Sequence, residues 1–329
     1  SRNARVIDRR GVLMKSTRQA RQGGAAVVMA LFIVVLCTLA VAPLIWNLFA
    51  TAKTISVAAA RDQADAVSVS GVDWARVILR EDARVSTTDT LTEPWAVPLA
   101  ESRINEGLMR KEENATDVDD REVVLTGRIE DAQGRFNLRN LGADNARQLV
   151  WLNGFTKLCD LLSVPGDQRA LLVQTLNSMF MPKLANPEEQ GIAPNEPPLL
   201  AALRWEEFRG KYGISEETWD QLRPYVVILP KASAVNANTA SAEVLYSIIE
   251  DISFGDAQRL LTQRERVTFR NVADIRSALN PNVTINNDLI TVNSNYFLVE
   301  GTAQVEEALI RTRALLERRE QRVFVMWRQ

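Results

Sequence analysis

The sequence predicts an α+β protein, with a long N-terminal helix followed by strands on both sides of a large helical block. Three observations predict it. Residues 25–52 form an unbroken uncharged run. Strand-like alternation appears at "EVVLTGRIED" (122–131) and again in "LITVNSNYFLVEGTAQV" near the end. Between these, apolar residues recur every three or four positions in segments punctuated by Pro and Gly.

The first 24 residues carry seven Lys/Arg (Arg2, Arg5, Arg9, Arg10, Lys15, Arg18, Arg21) against Asp8 alone. The rest holds 32 basic and 40 acidic residues, a net charge of −8 hidden by the overall −2. That balance argues against a nucleic-acid or anionic-lipid surface on the body. The absence of histidine removes His-based triads, His-ligated zinc and the commonest general base. Cys37 lies inside the apolar run and Cys159 far outside it, so the fold is expected to stand without a disulfide.

As a helix, the uncharged run Ala25–Ala52 is about 42 Å long, enough to cross a hydrocarbon core of about 30 Å. The basic residues before it predict a cytoplasmic N-terminus, with the bulk of the chain on the outer side. The run exceeds the apolar core of a secretory signal, although Ala50-Thr51-Ala52 has the small residues of a signal-peptidase site. Apolar positions continue helically through Ile55, Ala64, Val67, Gly71, Ala75, Ile78 and Leu79. One helix over 25–84 follows, about 90 Å long, with Pro43 inside it. The alternative is a plain anchor followed by a separate helix.

Residues 85–121 read as loop, because Pro94, Pro98, several Thr and a charge run interrupt any period. "AQG" (132–134) reads as a turn and "RFNL" (135–138) as a short strand. Helices are expected over 146–164 and 167–180, then a Pro-rich loop over 182–198. Short helices follow at "LLAALRWEEFRGKY" and "SEETWDQLRPYV", with Ser215 as an N-cap. A helix pair is expected over 236–251 and 253–266, capped by Thr239 or Ser241, and a third helix over 271–279. "VFVMW" (323–327) reads as strand, and the pattern of 305–322 decides between strand and helix in neither direction. Within it, "RTRALLERREQR" (311–322) reads best as an exposed strand whose charges block edge pairing, the alternative being a partner-facing surface. Trp74, Trp95, Trp151, Trp205 and Trp219 are expected core anchors, and Cys159 a core residue.

The start "MKSTRQARQGG" (14–24), a basic leader ending in glycine before a retained apolar helix, resembles the type IV prepilin class. On that resemblance a prepilin peptidase cuts between Gly24 and Ala25. "EPWAVPL" (93–99), "GRIEDAQGRFNLRNL" (127–141), "LRPYVVILP" (222–230) and "VNANTASAEVL" (235–245), in this order, resemble the minor pseudopilin K family of bacterial type II secretion. The family implies a pilin-like sheet with a large inserted all-helical domain, part of it helix-hairpin-helix-like (SAM-like). The expected divisions are a leader (1–24), the N-terminal helix (25–84), loop plus pilin-like strands (85–140), the inserted domain (141–280) and C-terminal pilin-like strands (281–329).

The family also implies a non-enzymatic subunit of the inner membrane and periplasm. It implies partnership with minor pseudopilins I and J, then H beneath, at the tip of a short pseudopilus. An inner-membrane assembly platform, the secretin and cargo are further implied partners. Most pseudopilins carry Glu at mature position five; here that position is Met29. A carboxylate in lipid demands a partner, so Met29 is the expected mark of a subunit with nothing ahead of it. Val27, Val28, Leu31, Ile33, Ile55 and Val67 are the expected partner-facing positions. The family's calcium stretch corresponds to "VQTLNSMF" (173–180), which has no Asp or Glu, so no metal or other cofactor is expected. Asp117, Asp119 and Asp120 read as a solvated charge run.

Residues 235–275 also resemble helix-hairpin-helix DNA-binding modules. Glu250 and Asp251 at the hairpin oppose a phosphate there, so nucleic acid is not an expected partner. No nucleophile–base constellation is visible, and Glu130/Asp131 reads as a turn feature.

Overall fold

The structure, a computed structural model, describes residues 23–105, 122–142, 145–180 and 204–329. Residues 1–22 of the leader, the Asp117–Asp120 run and the Pro-rich loop lie outside the described residues. The chain divides into two compact units, residues 1–58 and 59–329.

Helix α1 (Gly23–Val85) is a single α-helix of 63 residues that continues through Pro43. Large exposed hydrophobic side chains between Val27 and Phe49 give the first unit an apolar surface on every face, as expected of a lipid-facing helix.

The second unit is built on a five-stranded antiparallel sheet. Its strands are β1 (Leu99–Asn105), β2 (Glu122–Asp131), β7 (Tyr296–Val305), β8 (Ala308–Arg319) and β9 (Arg322–Arg328), in that order. The register pairs Gly127 with Gly301 and Gly301 with Thr312. One sheet face packs on the C-terminal part of α1. Ala60 and Ala64 meet Val123 and Val305, and Val72, Ala75 and Leu79 meet Trp95, Phe297, Val299, Ala314 and Leu316. Small residues on the helix let it approach the sheet closely. On the opposite face Tyr296, Leu298 and Leu315 pack on Val227 and Leu229.

Between β2 and β7 lies the helical block. It holds β3 (Phe136–Asn137), α2 (Asn145–Leu161), α3 (Gly166–Phe180), α4 (Glu216–Leu222), β4 (Val226–Val227), β5 (Val235–Asn236), α5 (Ala242–Ile248), α6 (Phe254–Arg266), α7 (Val272–Ala278) and β6 (Ile290–Thr291). Its own core is the largest in the molecule and includes Phe136, Trp151, Phe155, Leu158, Leu172, Phe208, Trp219, Leu245 and Leu260. Two short parallel ladders tie it to itself, β3–β4 joining its start to its middle and β5–β6 its middle to its end. The fold is α+β, with helices segregated from an antiparallel sheet.

Three expectations are corrected. The segment read as loop contains β1, an edge strand held by pairing with β2 across a register irregularity between Leu99 and Ser102. The arginine-rich segment is not an edge: β8 is flanked by β7 and β9, and Leu315 and Leu316 are buried on opposite faces. Trp74 is 48% exposed and anchors no core, because it sits on the flank of α1 beside the buried stripe; the other four named tryptophans are buried.

Candidate functional site: the N-terminal helix and the root of the helical domain

Gly24 and Ala25 lie in the first turn of α1, directly before the apolar run. Val27, Val28, Met29, Leu31 and Ile33 are all exposed. Met29 and Ile33 are four residues apart and so share a helix face, as do Val27 and Leu31. Ile55 is 64% exposed. Val67 differs: it is half-buried and packs against the Ala60, Ala64, Val123 and Val305 cluster of its own chain. The structure therefore gives the first six of these positions an open surface and commits part of Val67 to the fold.

A second constellation, not foreshadowed as a unit by any local pattern, lies where the helical block joins the sheet. Arg318 on β8 is buried. Its guanidinium donates to Asp82 of α1 at 2.8 Å and to both oxygens of Asp89 at 2.5 and 2.6 Å. It also donates to the Ser294 carbonyl at 2.8 Å and stacks 4.8 Å from the Phe297 ring centroid. Glu93 completes the group of carboxylates; it accepts from the Thr90 amide and the Trp95 indole.

Asp131, the last residue of β2, is buried beside this group. Its Oδ2 accepts from Ser294 Oγ (2.6 Å), Thr239 Oγ1 (2.6 Å) and Asn236 Nδ2 (2.8 Å), and its Oδ1 from the Gln133 amide (2.8 Å). Burial pushes its carboxyl up to about 6, against the pull of these donors. Burial also pushes Asp89 up, against its contact with Arg318. The turn role expected for Asp131 is present, since its Oδ1 caps the short 3₁₀ turn Ala132–Gly134. The Gln133 side chain extends the network, donating to the Ala234 carbonyl and accepting from the Asn295 amide.

Elsewhere the expected chemistry is structural. Cys159 is buried and its thiol is pushed up to about 12 by desolvation, so it is held as an inert thiol. At the α5–α6 hairpin Glu250 and Asp251 are exposed, which places two carboxylates where a phosphate would have to approach.

Two family models described as "Type II secretion system (T2SS), protein K" match residues 134–231 and 235–293. The protein K of Pseudomonas aeruginosa type II secretion is 28% identical over 277 residues, covering 78% of this chain and 77% of that protein. The chain is thus similar to type II secretion system protein K by family model and by relative alike. The protein K of Aeromonas hydrophila is 26% identical and covers 62% of this chain and 70% of its own length. Among solved structures, a chain in the crystal structure of the GspK–GspI–GspJ complex from enterotoxigenic Escherichia coli has a TM-score of 0.61 at 20% identity. It covers 82% of this chain and 95% of that one. The family models fall on the helical block, and of the groups bonded to Asp131 they include Asn236 and Thr239. Among the described residues, α1 is the one helix long and apolar enough to cross a membrane.

Proposed function

We propose that this chain works at the tip of the type II secretion pseudopilus, where it starts or caps assembly and so serves export of folded proteins across the outer membrane. It is made as a prepilin, cut between Gly24 and Ala25 by a prepilin peptidase, and kept in the inner membrane with its N-terminus cytoplasmic and its bulk periplasmic. Minor pseudopilins I and J are its direct partners, with H beneath them and the assembly platform below. The helical domain faces the secretin or cargo. Its role is structural and not catalytic, and it needs no cofactor.

The observation that carries this reading is Met29. It is exposed on the uncharged stretch of α1, at the fifth residue after the cleavage point, where a subunit with a predecessor needs a carboxylate. A buried or lipid-embedded charge must be paired, and Met29 offers none. The known complex of an E. coli protein K with I and J supports the choice of partners.

N-terminal sequencing of the full chain, expressed with and without a prepilin peptidase, tests it. A peptidase-dependent start at Ala25 is the expected result. A start at Lys53, or an intact chain in both cases, overturns it.

A further inference from the structure

The chain passes between sheet and helical block twice. It leaves at Asp131, the end of β2, and returns through Val292–Asn295 into β7 at Tyr296. A single carboxylate group holds both crossings, because Asp131 Oδ2 is bonded to Ser294 on the return and to Asn236 and Thr239 at the entry to α5. Asn236 also donates to the Asp89 carbonyl, and Ser294 donates its amide to the Asp89 carboxylate. The root of the helical domain is thus closed around Asp131 and the Asp89–Arg318 pair.

The charges around this root do not balance. Asp82 faces it from α1, Asp89 and Glu93 from the segment after α1, Asp131 from β2, and Arg318 from β8. The helical block contributes only neutral groups, Asn236 and Thr239, and the return segment contributes Ser294. Neighbouring Glu130 is engaged elsewhere, paired with Arg128 and Arg135. Among the described residues Arg318 is the cation paired with Asp82 and Asp89, and the groups bonded to Asp131 are all neutral. Its partners suit either protonation state. The Ser294 and Thr239 hydroxyls donate to a carboxylate, and by rotating they accept from a carboxylic acid.

We propose that this network is a proton-responsive clamp on the helical domain: uptake of a proton by Asp131 tightens the two crossings onto the sheet, and its loss loosens them. The sign follows from linkage. A carboxyl held near 6 in the closed root, and returning to the ordinary range when the root opens, binds its proton more tightly closed than open. Closure is then favoured at acid pH, and the advantage is lost as pH rises through about 6.

Hydrogen–deuterium exchange on the full-length protein in detergent, corrected for intrinsic exchange, tests this. The peptides to follow cover 131–137, 234–240 and 292–296. Opening of these segments is expected to be about tenfold more frequent at pH 7 than at pH 5. In Asp131→Asn the difference should shrink by about that factor, leaving only the share of Asp82, whose carboxyl burial also pushes up to about 6, and protection at pH 7 should rise toward the wild-type acid level. Equal protection of the wild type at both pH values overturns the proposal, as does a tenfold difference that survives in Asp131→Asn. The wild-type comparison decides alone if the variant does not fold.

Discussion

At the scale of single residues, Arg318 is the side chain on which most of the junction depends. It lies 8% exposed and satisfies two carboxylates and a carbonyl from three separate segments. Removing one partner of a buried ion pair leaves an uncompensated charge, which costs about 3–5 kcal/mol. Arg318→Met should lose stability of that order in urea unfolding at pH 7. The loss should be smaller at pH 5, where a proton on Asp89 does part of the guanidinium's work: burial has already raised that carboxyl, so protonation comes within reach. Arg318→Lys should recover only part, since an ammonium cannot bridge Asp82 and Asp89 in the fork geometry of a guanidinium. An equal loss for Met at both pH values would show that charge is not the reason for the cost.

At the scale of elements, packing decides how tightly the helices of the inserted domain are seated. A Cβ at Gly142 would stand 2.5 Å from the Cβ of Phe180, the last residue of α3. Phe180 is itself buried, with the Arg139 guanidinium over its ring. Gly142→Ala must therefore push α3 or its own turn aside, at a cost of about 1–3 kcal/mol typical of overpacking. Gly166→Ala, at the first residue of α3 with nothing within 4 Å, should be neutral or gain up to about 1 kcal/mol. Thermal melts of the two variants should move in opposite directions or differ clearly in size.

Much at this scale was legible beforehand. Ser215 was read as an N-cap from its place before "EETWDQL", and its hydroxyl accepts from the Thr218 amide at 3.1 Å. Ser241, one of two candidates, caps α5 in the same way. β2 begins and ends where its alternation does. Two elements were not legible, for physical reasons. From Thr312 to Glu317 nearly every residue of β8 is buried, because α1 covers one sheet face and the 227–229 segment the other. A strand covered on both faces loses the period-two signal. β1 is held by its pairing with β2, and that pairing is written in register, not in local sequence. The junction was illegible for the same reason carried further. Asp131 meets partners 105 and 163 residues away, a distance no local pattern spans.

At the scale of the whole molecule, the question is which part of α1 is left for partners once the chain has used what it needs to fold. The buried stripe Ala60, Ala64, Val72, Ala75 and Leu79 is consumed by the sheet. Val67 lies partly within that demand, against Val123 and Val305, whereas Ile55 is outside it. A charge at the two positions should then act differently. Ile55→Asp should leave the melting temperature of the protein unchanged, because an exposed substitution away from caps and cores moves stability by no more than about 0.5 kcal/mol. It should still reduce co-purification with minor pseudopilins I and J, because a carboxylate would be buried unpaired wherever neighbouring apolar helices cover that face. Val67→Asp should lower both the melting temperature and the recovery, so on its own it cannot separate folding from assembly. Ile55 can. Full recovery of both partners with Ile55→Asp would remove this stretch of α1 from the interface and leave assembly to the lipid-facing residues below it or to the folded body above.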